Sequence, residues 1–162
     1  MTDLSRINAG IVAMLAQAFP DIPIFAENIR EDITRPSFKV LFGEIATTAD
    51  NVSCWTRKIP VELVYFAENT DDPKPECYRR QRQLTALLLG AEIAATDDTG
   101  QTVYFPVTDV KSGIALDRSD ALLYVHFDLD EIGPPDIFIP DGGEVPPEAD
   151  MMENLNLNLE VT

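Results

Sequence analysis

The sequence predicts an α+β domain, a largely antiparallel sheet of about four to five strands with two helices packed on one face. Three observations carry that expectation. Two stretches repeat apolar residues at intervals of three and four, the spacing of one buried helical face. Others alternate with period two and are rich in β-branched and aromatic residues. The strands follow one another in pairs instead of alternating with helices, which favours antiparallel pairing. At 162 residues, 45% hydrophobic and 25% charged, the chain has the makeup of one globular domain with room for a tail.

The first helix runs from Leu4 to Phe19, with Leu4, Ile7, Ile11, Met14, Leu15, Ala18 and Phe19 on one face. Thr2 or Asp3 accepts from its free first-turn amides, and Pro20 stops it because proline lacks the N–H and restricts the residue before it. Pro20-Asp21-Ile22-Pro23 is a rigid turn. Ile24 to Ala26 is a short strand candidate, and the polar stretch Glu27 to Arg35 is a loop ending at Pro36.

Ser37 to Phe42 and Lys58 to Phe66 read as strands. Phe38, Val40 and Phe42 share one face of the first, and Ile59, Val61, Leu63 and Tyr65 one face of the second. Pro60 suggests an edge or bulge position, since proline cannot donate to a ladder. The intervening Gly43 to Arg57 exceeds a hairpin loop, so it is expected to be a long connection with a function of its own. Turn residues at Asp71 to Pro75 precede a second helix, Glu76 to Leu89, closed by Gly90 and carrying Arg79, Arg80 and Arg82 on its exposed side. Thr102 to Lys111 and Ala121 to Asp130 complete the sheet through a turn at Asp117 to Asp120.

Charge divides the chain in two. With 28 acids against 12 bases the net charge is -16, which argues against a surface that grips phosphate backbones. Residues 133–162 hold seven acids and no base, with Gly133-Pro134-Pro135, Gly142-Gly143 and Pro146-Pro147 breaking regular structure. The expected organisation is therefore an α+β domain over 1–132 and an acidic, Pro/Gly-rich tail or arm over 133–162. Near the end, Leu155, Leu157, Leu159 and Val161 alternate with polar residues, a pattern able to add a strand to an open sheet edge. No apolar run approaches the ~18 residues that span a bilayer, so no membrane partner is expected. Cys54 and Cys77 lack metal-ligand spacing and read as unpaired thiols of a cytosolic protein.

Catalytic signals are weak. His126, the single histidine, alternates with Tyr124 and Asp128 on one strand face without a nucleophile motif, and reads as a polar-face residue. Asp97-Asp98-Thr99-Gly100 lacks the ligand spacing of a calcium loop and reads as a solvated turn. There is no phosphate-cradling glycine motif. No catalytic, cofactor or metal residue is expected. Candidates for subunit or tube contact are Trp55, Arg57 and Lys58 in the long connection, which could equally cap the core, and Arg79, Arg80 and Arg82 on the second helix.

Several strings are distinctive: Phe19-Pro20-Asp21-Ile22-Pro23-Ile24 after the opening helix; Pro36-Ser37-Phe38-Lys39-Val40; Trp55 to Phe66; Glu76-Cys77-Tyr78; and Leu122 to Leu129. Together these resemble the phage tail-terminator family, small tail-completion proteins of phages, prophages and phage-derived particles. The resemblance implies a non-enzymatic virion protein forming a six-fold homo-oligomeric ring, a homohexamer, on the end of the tail tube. Such a ring stops polymerisation and presents a head-joining surface during virion assembly. It also implies as partners further copies of itself, the tube protein, and sheath or head-tail joining proteins. DNA would pass through the bore without specific binding, and the location would be the virion tail, with assembly in the host cytoplasm. The stretch after Ile132 departs from the family pattern. Two other readings remain: a head-tail joining or other neck protein, and a small cytosolic enzyme or ligand-binding module built on Tyr124, His126 and Asp128.

Overall fold

The computed structural model describes residues 1–25, 33–115 and 121–134. Along the chain come α1 (Leu4–Ala18), β1 (Ile24–Phe25), β2 (Ser37–Phe42), β3 (Ala46–Asn51), β4 (Cys54–Phe66), α2 (Lys74–Leu88), β5 (Glu92–Thr96), β6 (Thr102–Ala115) and β7 (Leu122–Gly133). The α+β class and both helices are as expected, but among the described residues the sheet has seven strands, and the parallel β1–β2 pair makes it mixed. The Asp3 carboxylate caps α1 by accepting from the Ser5 amide at 2.7 Å. Helix α2 starts at Lys74, two residues before the expected Glu76, because Pro73 and Pro75 fit its first turn, where an N–H has no helical partner.

The Gly43 to Arg57 stretch is not a loop. Residues Ala46–Asn51 and Cys54 onward are the arms of a β-hairpin that turns at Val52-Ser53, where the Asn51 side chain accepts from the Ser53 amide at 2.7 Å. β2 and β3 lie on the same side of β4, β2 against Val61 to Phe66 and β3 against Cys54 to Lys58, while β7 pairs along the other side over the whole length. This explains Pro60, which is neither on an edge strand nor at a bulge. Its carbonyl accepts from Gly43 N at 2.9 Å, so its side of the strand faces the break between β2 and β3. The missing proline N–H points to that same side, where no ladder partner is required.

The other unexpected strand, β5, hydrogen-bonds to Thr102–Pro106 of β6, whose remaining length pairs with β7. The β6–β7 ladder shifts register between Thr108 and Lys111, with Asp109 at φ 52°. Such a bulge bends and twists its strand. Consequently α1 touches both β5 and β1, which sit at opposite ends of the strand order β1-β2-β4-β7-β6-β5. The sheet is curled around that helix. A β-carbon at Gly10 would lie 2.2 Å from the Ala94 carbonyl oxygen, so only glycine allows α1 to come so close to β5.

One core results. Ile7, Ile11 and Leu15 of α1 and Cys77, Leu84 and Leu88 of α2 meet Phe38 and Val40 of β2, the predicted face of β4, and Leu123, Val125, Phe127 and Leu129 of β7. The opposite face, with Glu62, His126 and Asp128, is more exposed, and the described helices lie on the core side.

Candidate functional site

Two surfaces stand out from this frame: the β3–β4 hairpin and the outer side of α2. All six β3 residues are exposed, as is Val52 at the tip, and among the described residues only β4 pairs with β3. Its outer edge therefore presents unpaired backbone donors and acceptors, the type of edge onto which another strand adds.

At the root of the hairpin the expected contact residues turn inward. The period-two pattern of β4 continues back from Ile59 through Arg57 to Trp55, both buried. Arg57 faces Glu131 across the β4–β7 ladder, with Nη2 2.5 Å from Oε2. The other Glu131 oxygen accepts from the Thr2 amide at 2.8 Å, and Arg57 Nη2 donates to the Thr2 carbonyl at 2.7 Å. A buried charge persists only when paired and hydrogen-bonded; this triangle pairs both charges and ties the start of the chain to the hairpin root, while Arg57 Nε has no partner among the described residues. Arg57 is thus an internal fastening rather than a surface anchor, and Trp55 is a root residue rather than a loop residue.

Lys58 points the other way and is exposed. It pairs with Asp128 at 3.0 Å and Asp109 at 3.3 Å. Those hydrogen bonds, the Asp128 bond foremost, hold its amine above the usual lysine range. Farther along the same face His126 Nδ1 lies 3.4 Å from Glu62 Oε2, between two shallow depressions of about 330 and 270 Å³. Both open to solvent, and the histidine is half exposed, matching a polar-face residue. Among the described residues no group of three or more His, Cys, Asp or Glu is placed to hold a metal. Asp97 accepts from the Thr99 hydroxyl and from the Thr99 and Gln101 amides, as a turn residue does, and these bonds lower its pKa.

The arginines of α2 divide. Arg80 lies with its guanidinium carbon 4.9 Å from the ring centroids of both Phe19 and Tyr65, so it joins α2 to the end of α1 and to β4. Beside it the Glu76 carboxylate accepts from Tyr65 Oη at 2.6 Å and from the Glu68 and Asn69 amides at 2.9 and 3.1 Å. Burial raises the Glu76 pKa, but those three hydrogen bonds outweigh it and leave the group below its usual value. Burial, then the Glu76 bond, pushes the Tyr65 hydroxyl up to about 12.

Arg79 and Arg82 remain exposed, and Tyr78 joins them at 58% exposure. Tyr78 is the contact candidate that sequence reasoning missed. The signal was available, because Cys77, Leu84 and Leu88 define the buried face and put Tyr78 out of phase with it. An exposed tyrosine among arginines has the composition of an interface centre. The arm candidates Leu155, Leu157, Leu159 and Val161 lie outside the described residues.

No described helix is long and apolar enough to cross a membrane. Comparison with protein-family models matches residues 6–132 to one described as phage tail terminator protein. No curated protein matches the chain.

Proposed function

Because the chain belongs to a phage tail terminator family, and is thereby a structural protein of the phage tail, we propose that it caps the tail tube as a homo-oligomeric ring. The ring ends polymerisation of the tube and offers the surface to which the head joins. A ring needs head-to-tail contacts, so each subunit must present two different patches. The observation that carries this reading is the open, fully exposed β3 edge. The Tyr78, Arg79 and Arg82 face of α2 supplies a second, chemically unlike patch, basic in a chain of net charge -16, and opposite charges across an interface set register.

The acidic balance suits a bore that lets DNA pass, because like charge removes the counterion-release attraction. Its place is then in the virion tail, against the tube protein, with no catalytic step. The segment 133–162 would act as an arm whose Leu155, Leu157, Leu159 and Val161 add a strand to an open edge of a neighbour. Light scattering on the pure protein, alone and with purified tail tube, tests the ring. A discrete oligomer or tube-bound species is expected, and a strict monomer under both conditions overturns the reading. Deleting residues 133–162 should leave the far-UV spectrum unchanged while weakening rings or docking.

A further inference from the structure

A cavity of about 320 Å³ opens at the hairpin root, with Trp55, Val103, Ile132 and Pro134 among its lining residues. Two features set it apart from the other depressions. Trp55 is 7% exposed, yet its Nε1–H has no hydrogen-bond acceptor among the described residues. Ile132 is 73% exposed on the same wall. A buried donor without a partner costs free energy that a bound acceptor would recover, and an exposed isoleucine beside it asks for apolar cover. The occupant these features call for is an extended peptide, with a backbone carbonyl for the indole and apolar side chains for the wall.

The chain itself offers one. It leaves β7 across the face of the indole, since a β-carbon on Gly133 would lie 2.5 Å from Trp55 Cζ2, and Pro134 lines the cavity. Three residues farther comes Ile137-Phe138-Ile139, the only run of three apolar residues after Gly133. That spacing spans up to about 10 Å, enough to return to the cavity. Position and composition favour this stretch over the rest of the tail, because it is apolar and lies nearest the end of β7, so the shortest connection brings it to the site. We propose that Ile137-Phe138-Ile139 of the same chain docks in this cavity, covering Trp55 and Ile132 and giving the indole N–H a backbone acceptor. The cavity thus anchors the root of the acidic tail, whatever the rest of that tail contacts.

Trp55 is the only tryptophan, so its fluorescence reads the cavity directly in the full chain. Changing Ile137, Phe138 and Ile139 together to Ser, and Phe138→Ser alone, should shift its emission to longer wavelength and speed quenching by acrylamide, with an unchanged far-UV spectrum. Met151→Ser with Met152→Ser should leave both readings unchanged. Unaltered emission and quenching in the triple variant overturn the proposal, as does an equal shift from the Met151 and Met152 pair. Mixing the triple variant with fluorescence-silent Trp55→Phe copies separates the source of the segment. No recovery is expected, and recovery means that a neighbouring copy supplies it, overturning the assignment to the same chain. These readings need neither tube nor ring, so they fail or succeed independently of the capping reading.

Discussion

The two halves of the β4–β7 pair share one ladder and one alternation but are held together differently. From Ile59 to Tyr65 and from Leu123 to Leu129 the inward residues are aliphatic or aromatic and meet both helices. From Trp55 to Arg57 and at Glu131 the inward residues are an indole and an ion pair, and the strand on the β4 flank, β3, is wholly exposed. The first half is stabilised by apolar burial, which is non-directional and tolerant of small shifts. The second depends on directional hydrogen bonds around one buried ion pair, which hold a single geometry and fail when one partner is lost. The docking role proposed for the β3 edge would gain from that arrangement, because the root of the exposed strand is fixed.

The largest effect should come from breaking the polar half. Glu131→Leu leaves the Arg57 guanidinium buried without its counter-ion and removes the acceptor for Thr2, and it should cost about 3–5 kcal/mol in urea unfolding. Adding Arg57→Met to that variant removes the stranded charge and should recover most of the loss. If the double variant is no more stable than the single, the root is not held by the ion pair. In the apolar half, Leu63→Ala at a fully buried position should cost about 3 kcal/mol from lost burial and the cavity left behind. No second substitution in contact chemistry is expected to rescue it by neutralising charge, which is the contrast between the halves.

The same contrast governs what could be read from the sequence. The inward faces of β2, β4 and β7 were legible because apolar and polar residues alternate there. Strand β3 was not, since Ala46-Thr47-Thr48-Ala49-Asp50-Asn51 buries nothing and its conformation is set by the β4 backbone beside it. Arg57 and Lys58 look equivalent as neighbouring cations, yet extending the alternation from Ile59 puts Arg57 inside and Lys58 outside. Glu131 follows from Leu129 by the same step. The pattern was present, but hydrophobicity alone does not reveal a buried pair whose two members lie 74 positions apart. Arg80 failed for a related reason: its stacking partners Phe19 and Tyr65 come from distant segments.

A smaller effect is expected at the junction of β4 and α2. The Glu76 carboxylate satisfies Tyr65 and two loop amides, so Glu76→Gln should cost about 1 kcal/mol at neutral pH. Its folded pKa is below the unfolded value, so its contribution is full above the usual glutamate value of 4.5 and is lost as pH falls through the lowered folded value. The stability gap between wild type and the variant should therefore close in that acid range. A gap that stays constant from neutral pH to pH 3 would show that the carboxylate charge is not what holds the loop.

The smallest effect on folding, and the one that best separates the halves, belongs to the β3 edge. Thr47 and Thr48 are exposed and contribute no core contact, so changing both to Lys should alter stability by no more than about 0.5 kcal/mol. Lysines on an edge strand oppose the addition of another strand, because their charges resist desolvation as a second backbone approaches. Thermal unfolding should thus be indistinguishable from wild type while light scattering with tail tube shows loss of the assembled species and tails grow overlong. The Leu63→Ala variant should show the reverse ordering, with a large stability loss and normal assembly at temperatures where it remains folded. If the lysine variant assembles normally, the open edge is not the contact that closes the ring. The Tyr78, Arg79 and Arg82 face would then have to meet a different patch, and Arg79→Glu with Arg82→Glu becomes the deciding substitution.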